Sequence, residues 1–526
     1  MTQAVRCDIE WDGRQWSVDG ELLELDERMS IWDRTYRPRR LTLRAPLGDL
    51  RSFINAGHHP HSMIVDVFLG ARLISTSPVQ SIEPGRSEGE WTTIDIIERP
   101  LVDLSQIPSP TRLLMRYVDA EATERAAQRA YRRATADMYM DGLYPASPLK
   151  PINKVGDFTW DTVYAEKSVG TTYPMIFGRP GEDGAIGSKA LPIDLTAKLL
   201  MVAGHACTEG TITIWGPANG GERDKLVSES FNVTHAVDQN GQRVAVVDVS
   251  AAANVEVNWL DATAGEAAER DWYASWDGTA SGLSGDAADV LVVLLSHVRG
   301  VTVDLRSVEA ARSHLAGYAL SGCIDDVVRA WDVLVGQVLP LLPVHLVPTV
   351  AGVGLQPVVL DGTAAEARWH LQEGHGVIAT SRPTWRSSDG DDAICNDFTL
   401  SWGPSRKTSR FRRSSRRGPL SDATCARSAE LHGVRSEALE TRWVYRAAVA
   451  DRIVADVIAA RATDRRQVAL AVDGDVYGVS APRELALGMV VLYTDATEGI
   501  DRAVALVTSI VRDGSRTDRV LLTLLS

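Results

Sequence analysis

The sequence predicts a mainly β, multidomain protein with a small helical unit, an α+β chain in class. Three observations carry that expectation. At 526 residues the chain is too long for one hydrophobic core, since single cores rarely grow past roughly 250 to 300 residues. Short runs that alternate apolar and polar residues, punctuated by glycine and proline, recur along most of it, which is the period of half-buried strands. One stretch, 286–339, abandons that period for helical spacing.

From the start to about residue 110, strands are expected at 5–10 and 15–18 on either side of the hairpin signal Trp11-Asp12-Gly13, within 29–46, and at 63–69, 72–79 and 91–97. The part around Gly70 reads as strand, turn, strand, polar loop, strand. Strands so spaced suit a small antiparallel barrel or sandwich. Between 111 and 141 the composition turns to Ala, Glu and Arg, strong helix formers. Arg125, Arg129, Arg132 and Arg133 give that helix a charged face, either solvated with ion pairs to Glu121 and Glu124 or set against a neighbouring subunit. Residues 143–153 hold three prolines and read as a linker or extended arm. Residues 154–285 return to strands, at 198–203, 211–215 and 244–249. They follow Tyr173-Pro174-Met175-Ile176-Phe177-Gly178-Arg179-Pro180, a short strand ended by a rigid turn.

The helical unit opens with Val290, Leu291, Leu294, Leu295 and Val298 on one face and stops at Gly300. Two more helical pieces are expected at 310–320 and 324–339, split by Ser321-Gly322. Ile324, Val327, Val328, Trp331, Leu334, Val335 and Val338 form the buried stripe of the second. After Pro340 and Pro343 come a strand, a glycine turn at Gly352 and Gly354, and a second strand. Further on, 395–402 alternates as a strand, 442–445 reads as another, and 447–460 as a helix with Val449, Ile453, Val454, Val457 and Ile458 inward. Closing strands are expected at 467–472, 489–494, 503–512 and 519–525.

Several of these segments resemble the tail hub, or baseplate hub, proteins of long-tailed bacteriophages. The order of a helix, GYALSGCID, another helix, paired prolines and a glycine turn with LQPVVL is similar to the small helical unit of those proteins. TYPMIFG resembles their "yPxvFG" stretch, NDFTLSW a strand of their second tube domain, and LGMVVLYTD with RVLLTLLS their closing pattern, with Met489 where Asp is usual. The resemblance implies two tube-type antiparallel β-barrel domains, at 1–110 and 344–445. Around them it implies a helix and linker at 111–153, a second β-rich domain at 154–285, the helical unit at 286–343, and a helix with a C-terminal β unit at 446–526, with interleaving between them. It further implies a homotrimeric ring at the virion tail tip that closes the tail tube and opens for genome delivery. The partners implied are the distal tail or tail-tube protein ring, the tape-measure protein, tail fibre or spike proteins, and DNA in transient passage. Three copies would carry three times −14, a formal −42, which suits a wall that DNA slides past. A tail-associated cell-wall or glycan hydrolase and a receptor-binding tail protein stay open as alternatives.

Composition narrows the classes. A hydrophobic content of 44% and a charged content of 24% are ordinary for a soluble protein, and a net charge of −14 argues against a general nucleic-acid binder. No apolar stretch reaches the roughly 18 residues of a membrane span, and MTQAVRCDIEWDG lacks a signal-peptide core, so assembly in a host cytoplasm is expected. Cys7, Cys207, Cys323, Cys395 and Cys425 have no ligand spacing and read as packed free thiols. No nucleophile elbow, phosphate loop, dinucleotide fingerprint, zinc helix or calcium loop is present. No catalytic residue, cofactor or metal is therefore assigned, and a non-enzymatic role is expected. His58, His59 and His61 diverge in a proline-containing loop. His205 near Cys207, and His370 near Glu373 and His375, read as packed or exposed polar residues. Asp325 and Asp326, consecutive on a helix, would point about 100° apart and do not suit an acid and base facing one bond.

Two surface candidates remain. Residues 405–418 hold Arg406, Lys407, Arg410, Arg412, Arg413, Arg416 and Arg417 and no acid. They read as a solvated hairpin tip or loop, as a docking element for an acidic face of a neighbouring subunit or ring, or as a contact to passing DNA in a lumen. The second candidate is Trp272, Tyr273 and Trp276, either a surface aromatic patch for a glycan or ordinary packing. Fourteen tryptophans against seven phenylalanines are spread through every β region, as befits anchors of small barrels and interfaces.

Overall fold

The computed structural model describes the six strands between residues 3 and 98 and, short stretches apart, residues 173–525. The expected helix and linker at 111–153, the histidines at 58–61, and Gly300, Asp326, Arg406 and Lys407 lie outside the described residues. The chain is mainly β and multidomain, with its described helices grouped around one core.

The first strands are β1 (Gln3–Trp11), β2 (Arg14–Ser30), β3 (Arg40–Pro46), β4 (Ile64–Leu69), β5 (Arg72–Glu88) and β6 (Trp91–Glu98). All their pairings are antiparallel, and the β1–β2 ladder closes the order β1-β4-β5-β6-β3-β2 into a ring of six. A polar loop was expected after residue 79. Instead β5 runs on to Glu88, keeping its partner β6 through register shifts at Val79/Ser81 and Pro84/Ser87. Such irregularities are where a strand tolerates proline.

A second ring lies in mid-chain. After β7 (Met175–Phe177) come β8 (Ser188–Asp194), β9 (Leu199–Ala203), β10 (Gly210–Pro217), β11 (Leu226–Val237), β12 (Arg243–Asp248) and β13 (Trp272–Ser275). They close a barrel in the order β10-β11-β12-β9-β8-β13. All five residues of β9 are buried, because the strand is covered on both sides. Leu200 and Val202 join one apolar cluster, and Leu199 and Met201 join another with Tyr173.

The helical unit departs from its sequence reading in register. Helix α1 (Ala287–Ser296) starts where Asp286 caps it, its carboxylate accepting from the Ala288 and Asp289 N–H groups. Helix α2 (Leu305–Leu315) begins five residues before the expected position, since Asp304 caps the N–H groups of Arg306 and Ser307. The stretch expected to be helical from Ile324 opens instead with β14 (Gly322–Ile324), which pairs with β7. Asp325 thus follows a strand and is not on a helix. Helix α3 (Ala330–Val333) continues through a π turn at Leu334–Val338 and a 3-10 turn at Leu339–Leu341. The hairpin of β15 (Val344–Thr349) and β16 (Gly352–Pro357) then forms as the sequence predicts.

The C-terminal half supplies β17 (Trp369–Glu373), β18 (Gly376–Thr380), β19 (Thr384–Trp385), β20 (Asp397–Pro404), β21 (Phe411–Arg417), helix α4 (Ala423–His432), β22 (Ser436–Glu440), helix α5 (Ala447–Arg461), β23 (Arg466–Asp473), β24 (Val490–Asp495), β25 (Ile500–Arg512) and β26 (Thr517–Leu524). The strand expected at 442–445 lies at β22 instead, where β20 offers a parallel partner. Trp443, Val444 and Tyr445 are buried in the connection to α5. Pairings in the order β25-β24-β17-β18-β23-β26-β25 close a third ring of six. Within it β17 and β18 pair in parallel, with Gln372 and Glu373 opposite Gly376 and Val377. Leu371, Val468, Leu470, Tyr493, Val507 and Leu522 share its core.

Two long-range features organise the whole. β2 pairs with β25 from Glu27↔Arg512 to Ser30↔Ser509, which makes the first and third rings one sheet of thirteen strands. A single apolar core draws on β7, α1 to α3, the β15–β16 hairpin, β20 and α5, so segments of several expected regions interleave. Within it the rings of Phe177 and Trp443 meet at 5.3 Å. Gly178 follows Phe177 at φ +61°, and a Cβ there would lie 2.5 Å from the Leu320 carbonyl oxygen. Only glycine admits so close an approach in that conformation.

Candidate interface surface

Half of the cationic segment, Phe411–Arg417, is a strand. β20 and β21 form an antiparallel hairpin from Phe398↔Arg417 to Pro404↔Phe411, closed where the Ser405 N–H donates to the Arg410 carbonyl at 2.9 Å. β22 lies parallel on the other side of β20, giving the order β21-β20-β22. Alternation puts Phe398, Leu400 and Trp402 on one face, all buried in the core that α5 shares. On the side that faces β20, pairing satisfies the backbone of a segment that its charge alone marked as solvent-loving.

The arginines divide by role. Arg416 forks onto the buried Asp397 at 2.7 and 2.8 Å, and the Ser436 hydroxyl donates to the same carboxylate at 2.7 Å. The Arg416 guanidinium holds the Asp397 carboxyl below the usual range. Arg413 stacks 5.2 Å over the Trp402 ring, and Arg417 stands 3.8 Å from Asp422. Neighbouring Asn396 donates to the Gly433 carbonyl at 2.9 Å and the Ser428 hydroxyl at 3.2 Å, and accepts from the Arg435 N–H at 2.7 Å. Asn396 and Asp397, the polar pair of the NDFT motif, therefore pin α4 and β22 to the hairpin. The sequence reading took that motif only as a strand.

What this lobe presents outward is mixed in character. β22 is exposed along most of its length and carries Glu437 and Glu440. Helix α4 buries only Cys425 and Ser428. Large hydrophobic side chains stand exposed in and beside it, Leu420 at 102%, Leu431 at 67% and Val434 at 62%. Among the described residues only Leu305 joins them in that class. Three such side chains thus fall within fifteen residues.

The aromatic trio belongs elsewhere. Trp272, Tyr273 and Trp276 are 1%, 6% and 0% exposed, so they are packing residues of the mid-chain barrel and not a surface patch. Trp276 donates from Nε1 to Ser188 at 3.1 Å, and Trp272 packs so close to Gly216 that a Cβ there would lie 2.3 Å from its ring. His205, also buried, accepts the Ile176 N–H at Nε2 (3.0 Å) and meets the Ala206 carbonyl through Nδ1 (3.0 Å), and burial lowers its pKa to about 4. His235 accepts the Cys207 N–H at 3.1 Å, and burial pushes the Cys207 thiol up to about 12. His370 bonds Thr494 at 2.9 Å on the surface. Among the described residues no group of three His, Cys, Asp or Glu is placed to hold a metal ion, and Cys207, Cys323, Cys395 and Cys425 are free thiols.

One polar cluster joins the helical unit to α5. Tyr318 donates to Asp456, Arg452 lies 4.5 Å over the Tyr318 ring, and Arg452 donates to the Ala316 carbonyl at 2.7 Å. Burial raises the Asp456 carboxyl to about 6.

No family model matches the chain, and no curated protein does. Among solved structures it is similar to the 43 kDa tail protein of prophage MuSo2 from Shewanella oneidensis, at 11% identity and a TM-score of 0.35 over 99% of this chain and 98% of that one. It is similar also to a tail protein from Neisseria meningitidis MC58, at 9% identity and a TM-score of 0.41 over 99% and 96%. A third likeness is to a chain of the p2 virion baseplate in its activated conformation, at 8% identity and a TM-score of 0.18 over 62% of this chain and 81% of that one. These neighbours are phage tail and baseplate proteins. Likeness at this level carries no argument about function.

Proposed function

We propose that this chain is a structural, non-enzymatic protein of a phage-type tail, a hub that forms a homotrimeric ring at the tail tip. Its tube-type barrels would close the tail tube, link a distal tail ring to the tape-measure and fibre proteins, and open for genome delivery. The observation that carries this reading is the β2–β25 ladder, which joins two six-stranded rings from opposite ends of the chain into one sheet. A tube wall needs sheets that pass from barrel to barrel without an exposed edge, and here that continuity exists within one subunit. The hub-like motifs support the reading as well. Phe177-Gly178 and Asn396-Asp397 sit at tight structural junctions. The division into the domains expected from the sequence, interleaved through the shared core, is part of the same proposal.

Light scattering and negative-stain imaging of one purified fraction test it. The expected result is a threefold annulus with a central hole and a mass near three times 57.2 kDa. A compact monomer at every concentration, with or without a tail-tube ring present, would overturn it. Turbidity loss on cell walls or glycan binding by the same fraction would favour the hydrolase or receptor-binding alternative.

A further inference from the structure

Helix α4 is held to the β20–β21 hairpin by little burial. Cys425 and Ser428, three positions apart and so on one face of the helix, are the two residues it buries. Ser428 receives the side chain of Asn396 at 3.2 Å, and the residue before Asn396 is Cys395. Both cysteines are fully buried, and both belong to the apolar core that Phe398, Leu400 and Trp402 enter. They are near enough that charge on Cys395 acts on the Cys425 thiol. Each thiol has only a weak polar neighbour, the Asp397 carbonyl at 3.8 Å from the Cys395 Sγ and the Asp422 carboxylate beside Cys425. Thirty positions apart in sequence, two free thiols thus meet where the helix joins the hairpin.

We infer that Cys395 and Cys425 are an oxidation site, a thiol pair that closes into an intrachain disulfide and staples α4 to the lead-in of β20. The reaction is a pair of thiol–disulfide exchanges in which a small disulfide, such as oxidised glutathione, is the oxidant. The Cys425 thiolate attacks one sulfur of the oxidant, whose S–S bond breaks and releases one glutathione thiolate. The Cys395 thiolate then attacks the Cys425 sulfur, which forms the Cys395–Cys425 bond and releases the second. Two protein thiols are oxidised, one disulfide is reduced to two thiols, and the two protein protons pass through solvent to the leaving thiolates. Burial pushes both thiols up to about 11, so the closed lobe shields them and exchange goes through release of α4. That release is opposed by Asn396, and by Asp397 through Arg416 and Ser436. The bond would fix the lobe that carries the exposed Leu420, Leu431 and Val434. In a reducing cytoplasm the pair stays open, and outside the cell it closes. That timing rests on the virion role proposed above, whereas the bond does not.

The full chain, reduced and then held with oxidised glutathione at about pH 8, tests the pair. The sample is unfolded in the presence of a maleimide and mapped by mass. The expected result is one linked species, lighter by two hydrogen atoms than the peptides of Cys395 and Cys425 together, carrying no maleimide and separated by a reductant. Limited proteolysis within 418–436 should be slower by about tenfold or more in the linked chain, as closing a loop of this length predicts. Asp397→Ala, which loosens the lobe, should reach the linked form faster than wild type. Maleimide on both cysteines in wild type and in Asp397→Ala overturns the inference, as does a bond from either cysteine to another one. A link confined to Asp397→Ala, or glutathione that stays on Cys425 unresolved, overturns it too, because the thiols would then not meet in the folded lobe. None of these outcomes depends on whether the chain forms a ring, so the two proposals fail separately.

Discussion

Protonating His205 should loosen the mid-chain barrel. Its Nε2 accepts the Ile176 N–H and its Nδ1 serves the Ala206 carbonyl, so a second ring proton would set two donors against each other at the junction of β7 and the barrel. Burial holds its pKa near 4 against an ordinary 6.5. Above about pH 6.5 neither folded nor unfolded chain is protonated there, and the stabilisation is complete. As pH falls toward 4 the unfolded chain takes up a proton that the folded one refuses, and stability is lost. The full difference is about 3 kcal/mol, and by about pH 5 some 2 kcal/mol of it is gone. For a cooperative unit of roughly 150 to 250 residues that is about 4–8 °C in Tm. His297 is lowered to about 4 as well, also by burial, so wild type alone cannot isolate His205. His205→Gln keeps an acceptor for the Ile176 N–H and removes the titration. Scanning calorimetry at about pH 7.5 and about pH 5 should find the gap between wild type and variant shifting by about 4–8 °C in favour of the variant at the lower pH. A gap that is constant with pH would refute the reasoning.

Other perturbations follow from packing and polar contacts. Gly216→Ala forces a Cβ to within 2.3 Å of the Trp272 ring and should cost about 1–3 kcal/mol by overpacking, measured as a lower denaturation midpoint. Asp397→Ala releases Arg416 and Ser436 together. Limited proteolysis should then cut within 418–436 faster than in wild type, and an unchanged digestion rate would show that Asn396 alone holds the lobe. Asp456, raised to about 6 by burial, contributes stability that is present below about pH 4 and lost as pH rises through 6. Asp456→Asn should flatten that dependence, by under about 1 kcal/mol because the side chain is 44% exposed and solvent screens it; urea midpoints across that pH range would show it.

Local periodicity made much of the fold legible. The alternation of 63–69 and 91–97, the 15–18 run after the Trp11-Asp12-Gly13 turn, the β15–β16 hairpin and the four closing strands all appear close to where the pattern put them. Where a segment's partner lies far away in sequence, the pattern misled. Ile324 opens a helical stripe on paper but ends an extended strand, because Met175 to Phe177 offers Gly322 to Ile324 a ladder. The candidate site followed the same rule. Charge found the arginines of 405–418 and composition found the Trp272 cluster, yet neither says whether such residues lie on an edge strand or inside a barrel.

By itself, then, the sequence determined element type over its strongly periodic stretches and the absence of long apolar spans. Only the tertiary structure decided that β2 meets β25, that helices, hairpin and α5 share one core, and that basic and acidic strands end opposite sides of one sheet. The reason is physical. Side-chain periodicity is a property of neighbours along the chain, whereas a ladder is made of backbone N–H and C=O groups that are alike at almost every residue. Which two strands join is settled by the closure of whole barrels and cores, not by any residue pair that could be read in advance.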